Sequence, residues 1–182
     1  MRLRNTLNYC EEIKMLNTQE KFNSKKIVEF SQAQFLIKEI KESGKKVGLC
    51  HGGFDLLHPG HVKHFQSARE LCDILIVSIT SDTFVNARKG NGRPIYNQTL
   101  RAYMIASLAC VDHVVVSDFN TGIETIKALK PSYYIKGPDY IDKDDEEINA
   151  ERQAIKEVSG EIKYTNDAKL STSQIIDYIK KI

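Results

Sequence analysis

Short apolar runs rich in β-branched residues alternate along this chain with segments of helical spacing, and that alternation predicts the architecture. Residues 47–50, 73–80, 113–117, 132–135 and 161–164 read as strands. The second is the clearest, an Ile-Leu-Ile-Val run closed by polar residues. Helices fill the intervals. Ser31 is expected to cap one that carries Phe35, Leu36 and Ile40 as far as Gly44. Pro59 opens a second, with Val62, Phe65 and Ala68 inward, that ends near Cys72. Residues 98–109, 121–129 (capped by Thr121, stopped by Pro131) and 146–158 (ended by Gly160) complete the series, and Ser171 caps a last helix running to Ile182. Strands and helices alternating at this length predict an α/β protein: a Rossmann-like, doubly wound parallel sheet of about five strands with helices on both faces. Residues 86–97, polar, basic and Gly-rich, are expected to form a mobile loop, and the acidic stretch 142–147 a solvated approach to a helix N-terminus.

Two units are expected: an N-terminal extension over residues 1–25, whose scattered Leu3, Leu7, Ile13 and Leu16 allow a short helix, and a single domain over 26–182. Composition narrows the class further. At 41% hydrophobic and 27% charged the chain is ordinary for a soluble domain, and a net charge of +2 is too small to argue for nucleic acid. Cys10, Cys50, Cys72 and Cys110 are widely spaced, as expected of reduced thiols in the cytoplasm, and no apolar stretch is long enough to span a membrane.

The chemistry concentrates between the first strand and the second helix, in Cys50-His51-Gly52-Gly53-Phe54-Asp55-Leu56-Leu57-His58-Pro59-Gly60-His61. Gly52 and Gly53 let backbone approach a ligand without a Cβ in the way. Pro59 suits the first turn of a helix, which places His58 and His61 beside free amides and the positive dipole end, a ready anion site. The signature, Ser81-Asp82 and the stretch 136–140 all follow directly after expected strands, where open α/β sheets bind ligands.

His58-Pro59-Gly60-His61 resembles the H-x-G-H signature of the cytidylyltransferase-like nucleotidyltransferases. Later segments match in the same order: Ser81-Asp82, Lys89-Gly90, Arg93-Pro94, Arg101 at a helix start, Lys136-Gly137-Pro138-Asp139-Tyr140 against K-G-x-D-Y/W, and Ser171-Thr172-Ser173-Gln174-Ile175-Ile176 against S-T-T-x-I-I. The resemblance implies transfer of a nucleotidyl group from an NTP to a small phosphorylated or phosphonate acceptor, with release of pyrophosphate. His58 and His61 would contact the triphosphate, and Gly52, Gly53 and Phe54 would offer it backbone amides. Lys89, Arg93 and Arg101 would clamp it, with Arg88 competing for the place of Lys89. Ser171 and Thr172 would cap it from the last helix. Lys136 and Gly137 would present Asp139 to the ribose or base. Ser81, Asp82 and Asp55 are candidates for the acceptor side or a metal's outer shell. Mg²⁺ would arrive with the NTP and take no direct protein ligand.

Within the family the chain is similar to the heptose-phosphate adenylyltransferase domain and to phosphonate and phosphoglutamine cytidylyltransferases. The Asn166-Asp167 pair before the final cap favours the second group, hence CTP, in cell-surface (capsule) polysaccharide synthesis; ATP with a heptose 1-phosphate is the alternative. The segment 166–170 departs from the R-T-E-G of some cytidylyltransferases, removing an arginine contact. A homodimer is common in the family, while the weak charge and the lack of a long apolar stretch lead to the expectation of no nucleic acid partner and no membrane. Other readings stay open residue by residue. Lys89 and Arg93 would serve equally as solvated charges, and Asp139 as a turn residue. His64 is expected at the surface, since the histidines lack zinc-site spacing. A non-catalytic nucleotide-binding module is a second class. A dinucleotide oxidoreductase would need G-x-G-x-x-G after the first strand, which is absent.

Overall fold

Strands form where the apolar runs stand: β1 Val47–Gly52, β2 Ile74–Thr80, β3 His113–Ser117, β4 Tyr133–Lys136 and β5 Glu161–Tyr164. The computed structural model, which describes residues 22–167, 172–179 and 181, pairs them all in parallel in the order β3-β2-β1-β4-β5. The helices are α1 Phe30–Glu42, α2 Pro59–Glu70, α3 Asp82–Lys89, α4 Gln98–Ala106, α5 Gly122–Leu129, α6 Glu146–Glu157 and α7 Thr172–Ile179, with a 3₁₀ turn at Pro138–Tyr140. Most of the expected N-terminal extension and Ser171 lie outside the described residues. Among the described residues no helix is long and apolar enough to cross a membrane.

Side-chain alternation along the strands divides the apolar residues between two layers. Leu75, Val77 and Ile79 meet Phe65 and Ala68 of α2 and Ala102 and Ile105 of α4. On the opposite face Val47, Leu49, Ile76 and Tyr134 meet Ala33 and Ile37 of α1, Ile126 and Leu129 of α5, and Ala154 and Ile155 of α6. Burying each of these larger side chains is worth about 1.5–3 kcal/mol. The Rossmann-like α/β sheet of five strands is therefore as the periodicity indicated.

Several boundaries differ from the sequence reading: β1 runs on to Gly52 and β4 is shifted by one residue, and among the helices the differences are larger. Helix α1 begins two residues earlier, with Glu29 as N-cap and the Gln32 side chain accepting from the Glu29 N–H at 3.2 Å; Ser31 lies inside the helix. Helix α4 stops at Ala106, because Ser107 turns its hydroxyl back onto the Tyr103 carbonyl (2.8 Å). The stretch expected as loop from Asn86 is helical to Lys89, where Gly90 (φ 83°) ends it. With Val85 its one buried residue, α3 offers almost no apolar period to read.

The sheet order places the functional end. From β1 the chain moves outward through β2 to β3, then returns to β4 on the other side of β1. Strands β1 and β2 stay paired up to Gly52↔Ile79, whereas β1 and β4 pair only at Gly48↔Tyr133 and Leu49↔Tyr134. Above those pairs the two central strands part. That opening is the topological switch point, where α/β sheets bind ligands.

Candidate functional site

The opening between β1 and β4 is a cavity of about 480 Å³. Its walls include Gly52, Gly53, Phe54 and His61 from the signature, Arg88 and Lys89 from α3, and Lys136, Gly137 and Asp139 beyond β4. The turn from β1 to α2 is under backbone constraint, since Phe54 and Leu56 take positive φ (42° and 66°) without being glycine. Between them Asp55, 1% exposed, accepts from Ile95 N–H (2.8 Å) and Tyr96 N–H (3.3 Å) and pairs with Arg93. This one carboxylate fastens the signature to the loop before α4. The expected mobile loop is instead held by these bonds and by Asn86 Nδ2 donating to the Arg93 carbonyl (3.0 Å).

His58 caps α2, its Nδ1 accepting from the His61 N–H at 3.4 Å. The two imidazoles stack with centroids 3.7 Å apart and planes inclined by 19°, and Phe54 sets its edge against His61 at 5.3 Å. Burial lowers the pKa of both; for His61, with His58, His64 and Lys89 adding to the effect, it falls to about 3. The pair is thus neutral near pH 7, and His61 Nδ1 is buried without a hydrogen-bond partner among the described residues. Lys89 Nζ stands close to Gly53, within 3.8 Å of where a Cβ there would lie. Burial first, then Arg93, lowers its pKa. No ion pair among the described residues uses it, so it is a cation beside the histidines and the glycine turn.

Other expected site residues are placed differently. Arg101 is completely buried: its guanidinium donates to the carbonyls of Tyr96 (3.0 Å), Gly53 (2.5 Å) and Thr80 (2.8 Å) and pairs with Asp82 at 2.7 Å. Ser81 donates to Asp118 Oδ1 (2.9 Å). Asp55, Ser81, Asp82, Arg93 and Arg101 form the frame behind the crevice rather than its lining. Arg88 lines it but pairs with Glu147 at the start of α6. Thr172, at the start of α7, donates to the Leu56 carbonyl (3.5 Å), next to the signature. His58 lies just behind the lining, in contact with His61 through the ring stack.

Several lining residues carried no sequence signal. His64, expected at the surface, is enclosed: Nε2 lies 3.4 Å from Cys50 Sγ and Nδ1 2.9 Å from Thr165 Oγ1. Its helical spacing of three from His61 turns it toward β1, and the partner in β5's trailing loop is a hundred residues away. Glu151 sits deep in α6 and takes both Lys136 Nζ (2.8 Å) and the Tyr134 hydroxyl (2.8 Å). A Cβ at Gly122 would collide with Glu151 Oε1 and lie 2.6 Å from the Tyr134 hydroxyl. Gly122→Ala is accordingly expected to cost about 1–3 kcal/mol by displacing this network, read as a lower urea midpoint with an unchanged m-value. An unchanged midpoint would show that Glu151 can move at no cost.

The buried imidazoles also predict a pH dependence. His51 and His61 are pushed down to about 3 and His64 to about 4, in each case chiefly by burial. The unfolded chain takes up protons on them near pH 6.5 while the folded chain does not. Stability is therefore full above that pH and declines as pH falls toward 4. At about pH 5 each contributes a loss of up to about 2 kcal/mol relative to neutrality. Urea unfolding at the two pH values checks this; equal midpoints would contradict it.

Comparisons with known proteins agree with this geometry. A family model described as "Cytidylyltransferase-like" matches residues 49–178. Proteins named "Bifunctional protein HldE" are similar: one from Helicobacter pylori is 38% identical over 148 residues, 80% of this chain and 30% of that protein. Another, from a Nitratiruptor species, is 45% identical over 114 residues, 63% of this chain and 25% of that protein. The chain thus spans about a quarter to a third of the length of these relatives. Among solved structures, a lipopolysaccharide core biosynthesis protein from Thermoplasma volcanium superposes with a TM-score of 0.54 at 27% identity, covering 70% of this chain and all of that one. A pantoate-beta-alanine ligase from Francisella tularensis shares the fold (TM-score 0.57, 17% identity, 86% of this chain and 78% of that one). With the stacked histidines at the head of α2, the crevice at the switch point and a family match over most of its length, the chain belongs to the cytidylyltransferase-like family of nucleotidyltransferases.

Proposed function

We propose that this protein transfers an adenylyl group from ATP to a sugar 1-phosphate, a heptose 1-phosphate first among them, and releases pyrophosphate in the service of cell-surface polysaccharide assembly. The observation that carries the reaction class is the His58–His61 stack at the head of α2 with Lys89 beside Gly53. In this reaction an acceptor phosphate oxygen bonds to the α-phosphorus, the α–β bridging bond breaks, and the electron pair leaves with pyrophosphate. The nucleophile is already an anion, so no general base is required. The protein's part is positioning and charge stabilisation.

His58 and His61 would donate to the α-phosphate and the bridging oxygen as charge moves to the leaving group. The amides of Gly52, Gly53 and Phe54 and the Lys89 ammonium would hold the rest of the triphosphate. Arg88 would join them by exchanging Glu147 for phosphate. Thr172, at the start of α7, would meet the same group; the role the resemblance gives Ser171 falls outside the described residues. Lys136, Gly137 and Asp139 would face the nucleoside. Arg93, Arg101, Asp55, Ser81 and Asp82 are positioning residues in this scheme, their polar atoms committed to one another and to backbone. No cluster of three metal-ligating side chains occurs among the described residues, and Asp55 is fully engaged. In this scheme Mg²⁺ would come with the nucleotide as its counter-ion, held by phosphate oxygens and water.

The CTP expectation rested on Asn166-Asp167. Asp167 Oδ1 accepts from Ser67 Oγ at 2.8 Å, a tie between the loop and α2, while Oδ2, on the crevice wall, is buried without a partner among the described residues; neither contact distinguishes a cytosine from an adenine. The similarity to the HldE proteins and the motif resemblance to the heptose-phosphate adenylyltransferase domain both favour ATP. Pyrophosphate release from ATP and from CTP, each with heptose 1-phosphate, glycerol 3-phosphate, phosphoglutamine and a phosphonate, tests the choice. Release with ATP and the sugar phosphate is expected. Release confined to CTP would restore the cytidylyl reading. Light scattering would test the homodimer that the family resemblance implies.

A further inference from the structure

His51 takes no part in the phosphate chemistry, yet it stands on the crevice floor where β1 and β4 part. Alternation along β1 puts it on the face of Val47 and Leu49. Low on that face the sheet is apolar. At the carboxyl ends it turns polar, with His51 on β1, its register partner Ser78 on β2, and Lys136 on β4. Ser78 Oγ lies 3.2 Å from His51 Nδ1 and fixes the ring. The other ring nitrogen, Nε2, is enclosed and has no hydrogen-bond partner among the described residues. Buried nitrogens are rarely left so, because the lost hydration is not returned.

We propose that His51 is a specificity-determining contact: its Nε2 takes a hydroxyl group of the substrate seated on the crevice floor. The match is chemical. Burial and the neighbouring Lys136 keep the imidazole uncharged, its pKa lowered to about 3. A neutral imidazole nitrogen offers one lone pair or one N–H, depending on which way the Ser78 hydroxyl turns. A hydroxyl can answer either, whereas a phosphate oxygen is drawn to Lys89 and the head of α2. The inference rests on the nucleotidyl-transfer reading and adds that one substrate brings a hydroxylated ring to this floor. Two sources share that chemistry, the ribose of the nucleotide and the polyol of a sugar acceptor.

Equilibrium binding separates them. Titrations would use ATP, 2′-deoxy-ATP, 3′-deoxy-ATP, heptose 1-phosphate and its monodeoxy analogues, with the wild type, His51→Phe and His51→Gln. The wild type is expected to lose about tenfold in affinity for the analogue lacking the contacted hydroxyl. His51→Phe should bind the parent ligand about tenfold more weakly and no longer distinguish the analogue, and His51→Gln, whose amide reaches the same point, should regain part of both. Loss on a deoxynucleotide assigns the ribose; loss on a deoxy sugar assigns the acceptor. A folded His51→Phe that binds every parent ligand as the wild type does overturns the proposal. Should that variant fail to fold, Ser78→Ala carries the test: freeing the ring should cut the discrimination at least threefold, and wild-type discrimination overturns the proposal equally. A wild type that binds nucleotide but ignores every missing hydroxyl sinks the role of His51 alone; one that binds no nucleotide sinks the nucleotidyl-transfer reading with it.

Discussion

His61→Ala is expected to slow nucleotidyl transfer by on the order of 10²–10³-fold in kcat while the fold persists. The magnitude follows from removing one preorganised donor from a site where charge develops on the leaving group. The side chain is held for that role: it stacks on His58 and meets the Phe54 ring edge to face. Nothing in the core depends on its ring nitrogens, so circular dichroism and the melting temperature should change little. Loss of turnover with intact ATP binding would place the contact in the transition state. Near-wild-type turnover in both His61→Ala and His58→Ala would remove the mechanism.

Arg101→Leu is expected to act in the opposite way, on stability first. Its guanidinium joins the carbonyl ends of β1 and β2 (Gly53, Thr80), the loop at Tyr96 and the carboxylate at the start of α3 (Asp82). Removing it leaves three carbonyls without their donor and the partly exposed Asp82 carboxylate without its partner, a loss of about 2–4 kcal/mol, which is a large part of the roughly 5–15 kcal/mol that holds a domain. Arg101→Lys should recover little, because a single ammonium cannot reproduce the planar fork. Urea unfolding measures both variants. A change below about 1 kcal/mol combined with weaker ATP binding would instead show that the guanidinium serves the triphosphate directly.

The contrast between these two residues shows what the sequence could and could not disclose. Strand positions were legible because a buried parallel strand needs a near-continuous apolar run rich in β-branched residues, and Ile74–Thr80 has one. The signature was legible because its glycines, proline and histidines are consecutive. Helix α3 was not, because a helix with Val85 as its one buried residue has no period to detect. Arg101 was recognisable as a motif arginine, but an arginine facing a phosphate and one facing four protein oxygens look alike in a sequence. His64 and Glu151 were hidden for a related reason: their partners Thr165, Tyr134 and Lys136 are brought near only by sheet order. His51 stood inside the signature stretch without a role of its own; only the parting of β1 from β4 gives it a floor to stand on.

The most direct measurement of the central claim is the stoichiometry of the products. ATP and heptose 1-phosphate would be incubated with the protein, and the mixture followed by phosphorus NMR and mass spectrometry. The account predicts one ADP-linked sugar and one pyrophosphate for each ATP consumed, both lost in His61→Ala. Formation of ADP and inorganic phosphate, or of pyrophosphate with free AMP and no linked sugar, would contradict it.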